Sequence, residues 1–358
     1  MTDPTSDPAV WADRARLAHD ALLSFFRLDR MLLREAVPRR RQDLNRYSYE
    51  WPHSQATQAA TDMACAGIGP ADVHDRGQES YWNPVIGAYM SLPRPPHAFG
   101  GHVYLDDNAW MGLVHVQRVL AGIGARKDLV RARAIHRFIR RGRDTDPDHP
   151  APGGVFWTTS ASNRDRNTVS ALPPAQLALR LHELTGKATY LEDALPLYDW
   201  ARSSMLAPEG LYWDHIDLAG TIDTTWWTYN QGVAIGVEAL AWRATGWTVH
   251  RRRLDETIEA SLTHFRPEEP GGPFDGQPLF FDAIYLKNLL LASTIVPDDR
   301  AARITRSYAE RMWRTRCDPV TGIYRRPHID HTELLEQAGM VQLCAVLAQD
   351  PRGWATLY

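Results

Sequence analysis

Cysteine is scarce in this chain: Cys65, Cys317 and Cys344 are the only three in 358 residues. Three scattered thiols exclude a disulfide-stapled scaffold and suit a reducing compartment. Lysine is as rare, three against 37 arginines, which reads as the coding bias of a GC-rich genome rather than as a basic surface. A dominant charge is missing too. The formal net charge of -3 supplies no field that would draw nucleic acid or an anionic membrane. No apolar run is long enough to span a bilayer. The first residues hold no basic segment followed by an apolar one, so the chain is expected to be cytoplasmic, although a secreted chain trimmed of its leader would read the same. Residues 1–9 are expected to form a disordered tail and residues 10–358 a single domain.

What the chain does have is helical periodicity between loops that collect its Gly and Pro. Residues 108–121 are apolar nearly all round (Trp110, Met111, Leu113, Val114, Val116, Val119, Leu120). Residues 127–141 keep one stripe (Val130, Ala134, Ile135, Phe138, Ile139) opposite five arginines. The first pattern suits a buried inner helix and the second a covering outer one. The pair recurs, as expected of a repeat architecture. Inner helices are expected at 54–66, 108–121, 174–185, 230–245, 279–295 and 333–348. Outer helices are expected at 127–141, 188–205, 249–265 and 298–315, with 10–37 and 71–92 completing the set. Gly122, Gly186 and Gly246 fall where C-terminal caps belong, and Pro196 should kink one outer helix. The fold class is all-α, an (α/α)6 toroid of six inner and six outer helices.

If the inner helices start on one face, the residues just before them line a common hollow. They are Trp51-Pro52-His53, Tyr104 to Asn108, Arg166-Asn167-Thr168, Trp226 to Gln231, Phe274 to Gln277 and His328 to His331. Aromatic rings with amides and carboxylates are the chemistry of a carbohydrate site, since rings stack on the C–H face of a sugar and polar groups bind its hydroxyls. Within this set Asp106 and Asp107 stand side by side. Adjacent Cα atoms about 3.8 Å apart keep two short carboxyl stems close, and glycoside cleavage with retention needs carboxyls about 5–5.5 Å apart. Like charges so near cannot ionise equally easily, which would supply one acid and one nucleophile. The duller alternative is that Asp107 merely caps a helix, and that Asn167 and Asn230 do the same.

The segment Tyr104-Leu105-Asp106-Asp107-Asn108-Ala109-Trp110 resembles the catalytic motif of glycoside hydrolase family 76, the endo-α-1,6-mannanases, which share an (α/α)6 barrel. Thr228-Tyr229-Asn230-Gln231-Gly232, Gly153-Gly154-Val155-Phe156-Trp157 with Asn167-Thr168, and Gly210-Leu211-Tyr212-Trp213-Asp214 are similar to further family segments, in the expected order. The resemblance implies a retaining hydrolase of α-1,6-mannosidic linkages in mannan or manno-oligosaccharides, with Asp106 as nucleophile and Asp107 as general acid/base. It implies no metal and no cofactor. Tyr104, Asn108, Trp157, Asn167, Trp213, Asp214, Trp227, Tyr229, Asn230, Gln231 and His328 are the expected substrate-binding residues. Three other readings remain: a transglycosylase on the same site, a sugar 2-epimerase using His328 and His331, and a non-catalytic carbohydrate-binding barrel. The oligomeric state is open.

Overall fold

The structure, a computed structural model, describes residues 7–29 and 31–358. Of the expected tail, residues 1–6 lie outside the described residues. Asp7 caps the first helix, its carboxylate accepting from the Ala9 N–H at 2.9 Å. Twelve α-helices follow among the described residues: α1 (Pro8–Ala21), α2 (Glu50–Cys65), α3 (Asp75–Glu79), α4 (Leu105–Leu120), α5 (Arg126–Ile139), α6 (Thr168–Thr185), α7 (Ala188–Met205), α8 (Thr228–Thr245), α9 (Thr248–Phe265), α10 (Leu279–Ile295), α11 (Asp299–Arg316) and α12 (Leu334–Ala348). The fold is all-α. None of these helices is long and apolar enough to cross a membrane.

The even-numbered helices pack on one another: α2 on α4, α4 on α6, α6 on α8, α8 on α10, α10 on α12, and α12 back on α2. Most of the odd-numbered helices lean on one partner each, as α5 does on α4 and α7 on α6. Burial separates the two sets as periodicity requires. In α8 the run from Thr228 to Ala241 is buried without a break. In α5 only Asp128, Ala132, Ile135, His136 and Ile139 are, a single stripe at helical spacing.

Two expected elements are different. Residues 10–37 hold most of α1, a π-turn over Leu22–Phe26 and, at their end, the two-residue strand Ala36–Val37, not one long helix. Residues 71–92 hold only the five-residue α3 and a hairpin of β2 (Trp82–Asn83) with β3 (Ala88–Tyr89), where the Asn-Pro and Gly-Ala turns break any helical run. α6 begins six residues before the expected start, with Pro173 and Pro174 inside it, and α7 runs through Pro196 as one assigned helix. Gly186 and Gly246 are left-handed caps, with φ of 66° and 68°.

Short strands brace the loops that lead into the even-numbered helices. β1 (Ala36–Val37) pairs antiparallel with β7 (Thr332–Glu333), and β4 (Arg166–Asn167), β5 (His215–Ile216) and β6 (Ile222–Asp223) form one small antiparallel sheet. Its register sets Asn167 opposite His215 and His215 opposite Asp223. Three polar side chains from two loops are thereby fixed beside the start of α6.

Candidate active site

A cavity of about 500 Å³ opens where the even-numbered helices begin. Asp106 and Asp107 both line it, in the first turn of α4. The helix is not capped by either: Tyr104 is the N-cap residue and makes no side-chain cap bond, so the capping alternative for Asp107 has no support. Asp106 is only 7% exposed and Asp107 is half-buried. Asp106 Oδ2 accepts from the Trp157 indole N–H at 3.1 Å, while its Oδ1 is buried without a partner. Neither aspartate forms an ion pair among the described residues.

The two carboxyls occupy different electrostatic surroundings. Burial pushes Asp106 up to about 7, against the opposing pull of the Asp107 main-chain N–H and the Trp157 indole. Burial holds Asp107 well above the ordinary carboxylate range, and the charges of Asp106 and Glu50 add to it. Both acids are thus pushed toward their neutral forms, and the Trp157 indole on Asp106 favours the charged form of that one.

The wall is acidic and aromatic. Glu35, Asp165 and Asp214 line the cavity with the pair, and among the described lining residues there is no Lys or Arg. Burial pushes Glu35 up to about 7. Asp214 Oδ2 lies 2.9 Å from His215 Nδ1, and that hydrogen bond raises the imidazole above its usual range. Asp214, His215 and Asp223 can each bring one donor atom within 4.8 Å of the others, although Asp214 already engages the Nδ1 of His215. Trp51, Tyr229 and Phe281 contribute the apolar surface; Tyr229 and Phe281 stack with centroids 4.0 Å apart, and Phe281 stacks on Trp51 at 6.0 Å.

Of the expected substrate-binding residues, Tyr104, Trp157, Asn167, Asp214 and Tyr229 line the cavity. The rest do not. Asn108 is fully buried: its amide accepts from Tyr89 N (2.7 Å) and donates to Tyr89 O and Tyr104 O. Gln231 does the same to Tyr212, accepting from its N at 2.8 Å and donating to its O at 2.9 Å. Gln337 repeats the device at Tyr324 N (2.8 Å). Each is the fourth residue of its helix, so these amides tie a preceding loop to a helix start. Asn230 is not a cap; it sits in the first turn of α8, buried, with its Nδ2 3.4 Å from Asp214 Oδ1. Trp213 and Trp227 pack against the core, Trp227 edge-on to Phe281. His328 is exposed at a left-handed φ of 63°, and His331 faces Asp330, so the histidine pair proposed for epimerase chemistry does not line the cavity. Phe274 to Gln277 is also elsewhere: Phe274 is core and Asp275 is held by Arg311 at 2.6 Å.

Sequence reasoning missed Glu35, Asp165, His215 and Phe281. Asp165 and His215 carry a readable signal, since each is one position from a residue already marked, Arg166 and Asp214. Glu35 carries none.

The profile of glycosyl hydrolase family 76 matches residues 11–348. The chain belongs to this family. Among solved structures, a family 76 mannosidase from Bacteroides thetaiotaomicron superposes with a TM-score of 0.81 at 18% identity, covering 95% of this chain and 98% of that one. The inactive double-aspartate-to-asparagine variant of an α-1,6-mannanase from Salegentibacter sp., in complex with α-1,6-mannotriose, superposes with a TM-score of 0.74 at 19% identity, covering 94% and 99%. By sequence, the chain is 35% identical over 173 residues to the mannan endo-1,6-alpha-mannosidase DFG5 of Saccharomyces cerevisiae, 43% of this chain and 38% of that protein. It is 30% identical over 122 residues to the homologous DCW1 of Candida glabrata, 32% of this chain and 27% of that protein. These matches thus span only about a quarter to two-fifths of the length of the curated relatives.

Proposed function

We propose that this family 76 member is a retaining glycoside hydrolase acting on α-1,6-linked mannose chains, built as a closed (α/α)6 toroid. The cyclic packing of α2, α4, α6, α8, α10 and α12 supports the toroid. The observation that carries the chemistry is the adjacent acid pair in the cavity, without a cationic partner among the described residues and with the Trp157 indole donating to Asp106. That the Salegentibacter mannanase is inactive when two adjacent aspartates become asparagine supports the same assignment.

Asp107 keeps its proton and gives it to the departing sugar oxygen as the glycosidic bond breaks, while Asp106, ionised and steadied by the Trp157 indole, attacks the anomeric carbon to form an ester. Asp107, now a carboxylate, takes a proton from water as that water displaces Asp106, so configuration is retained. Stacked Tyr229 and Phe281 offer a face to the sugar ring, and Asp214, Asp165 and Asn167 offer acceptors to its hydroxyls. The carbohydrate is the only partner this surface calls for, and the three free thiols support a reducing compartment.

Proton NMR with α-1,6-mannotetraose tests the reading. Shorter oligosaccharides released first as the α-anomer are expected; initial β-anomer would replace retention with inversion, and an unchanged substrate would remove the activity.

A further inference from the structure

Glu50 opens α2, the neighbour of α4, and is 1% exposed. Its main-chain N–H donates to the carbonyl of Ser91, a cavity-lining residue, at 3.0 Å. Its Oε1 accepts from Gln78 Nε2 at 2.6 Å. The Gln78 amide is itself held, with Oε1 2.9 Å from His53 Nδ1 and within reach of the Thr57 hydroxyl at 3.4 Å. One oxygen of Glu50 is thereby fixed in place. The other, Oε2, is buried with no partner, and no Lys or Arg forms an ion pair with Glu50 among the described residues.

Asp106 Oδ1, in the first turn of the adjoining α4, is orphaned in the same way. Two buried carboxylates without a cation are prohibitively costly together, whereas a carboxylic acid can offer its O–H to a carboxylate. The groups around Glu50 leave the acid form as the solution. Asp106 and Asp107 of α4 face it with charge of its own sign, Gln78 of α3 is neutral, and Tyr81, just before β2, and Tyr89, within β3, are kept un-ionised by burial. His53, reached through Gln78, is pushed by burial toward its neutral form.

We propose that Glu50 is a third carboxyl of the catalytic cluster, protonated at neutral pH and throughout turnover, that directs its O–H toward Asp106. It is a positioning residue. It touches neither substrate nor the bond being broken; it supplies Asp106 with a second donor besides Trp157, and so confines the cluster's single negative charge to the nucleophile. Charge balance fits both chemical steps. When Asp106 becomes an ester, Asp107 has just lost its proton, so the cluster again carries one charge and Glu50 has no cause to ionise. This assignment rests on the glycosidase reading above for its consequence in catalysis, but not for the protonation state itself.

Two variants separate the possibilities. Glu50→Gln keeps the acceptor for Gln78 and sets an N–H where the acid proton stands. Its pH profile against α-1,6-mannotetraose is expected to keep both limbs within about half a unit of wild type. Glu50→Met removes the donor, and the acidic limb, which reports ionisation of Asp106, is expected to move up by about one pH unit. A role in packing alone would lower Tm or kcat without moving that limb. Two outcomes would overturn the proposal: an alkaline limb displaced downward by a unit or more in Glu50→Gln, which would mean the native group is an anion, or an acidic limb unmoved in Glu50→Met. Should Glu50→Met fail to fold, infrared difference spectra of wild type and Glu50→Gln at pH 7 still decide the matter. Loss of a protonated-carboxyl C=O band in the variant supports the proposal, and loss of a carboxylate band ends it. That measurement uses no substrate, so it stands even if the protein cleaves no mannan.

Discussion

Two groups of buried acids lie within the same set of even-numbered helices and have opposite fates. In the last turn of α2, Asp62 is fully buried, and its partners are complete: Lys287 Nζ at 2.7 Å on one oxygen, Gln58 and Gln117 at 2.8 and 2.7 Å on the other. Lys287 also donates to Gln342 and stands 4.0 Å from the centre of the Tyr358 ring. At the start of α4, Asp106 has a single side-chain donor and one orphaned oxygen, and Asp107 faces other carboxyls. The same side chain is structural where its hydrogen bonds are filled and reactive where they are withheld. Burial alone marks neither condition; the count of unfilled valences does.

This contrast can be broken in order of expected effect. Asp106→Asn should lower kcat/KM by about 10⁴-fold or more while leaving the fold intact, read from turnover alongside a thermal melt; an active variant would return both acids to the structural class. Lys287→Met should act the other way, costing about 3–5 kcal/mol because Asp62 is left charged and unpaired; a melt showing no loss would mean that the interior pair is as dispensable as a surface one. Trp157→Phe removes the donor from Asp106, so the acidic limb near pH 7 should move up and kcat/KM at pH 6 should fall about 10-fold. The smallest effect is thermodynamic. Asp106 and Asp107 bind protons more tightly folded than unfolded, so the stability this contributes is present below their unfolded values near pH 4 and lost as pH rises through about 7 and beyond. Asp107→Asn should therefore melt about 2 °C above wild type at pH 8, with the gap closing toward pH 4. A gap that widened on acidification would reverse the assignment.

The sequence exposes the reactive group better than its support. Asp106 and Asp107 are legible because adjacency, flanking aromatics and a helix start are all local. Helices α7 and α10 are legible to the residue because their stripes are bounded by Gly or Pro turns. Glu50 and Glu35 are not, since what makes them unusual is burial by segments far away in the chain. Asn108 and Gln231 read as sugar-binding because each sits in a segment at the start of an inner helix; in the fold their amides are consumed by Tyr89 and Tyr212. Residues 71–92 are expected as a helix only because six inner helices call for six outer ones, while their own turn residues shape a hairpin.

Those amide ties have a practical consequence. Asn108, Gln231 and Gln337 grip peptide groups rather than side chains, so what they hold is indifferent to the identity of the residue gripped. Whole loops over the cavity could be shortened, lengthened or grafted from another barrel between such anchor points without displacing the acids below. Altering which ligand the proposed site accepts then becomes a matter of exchanging cassettes on a fixed chassis.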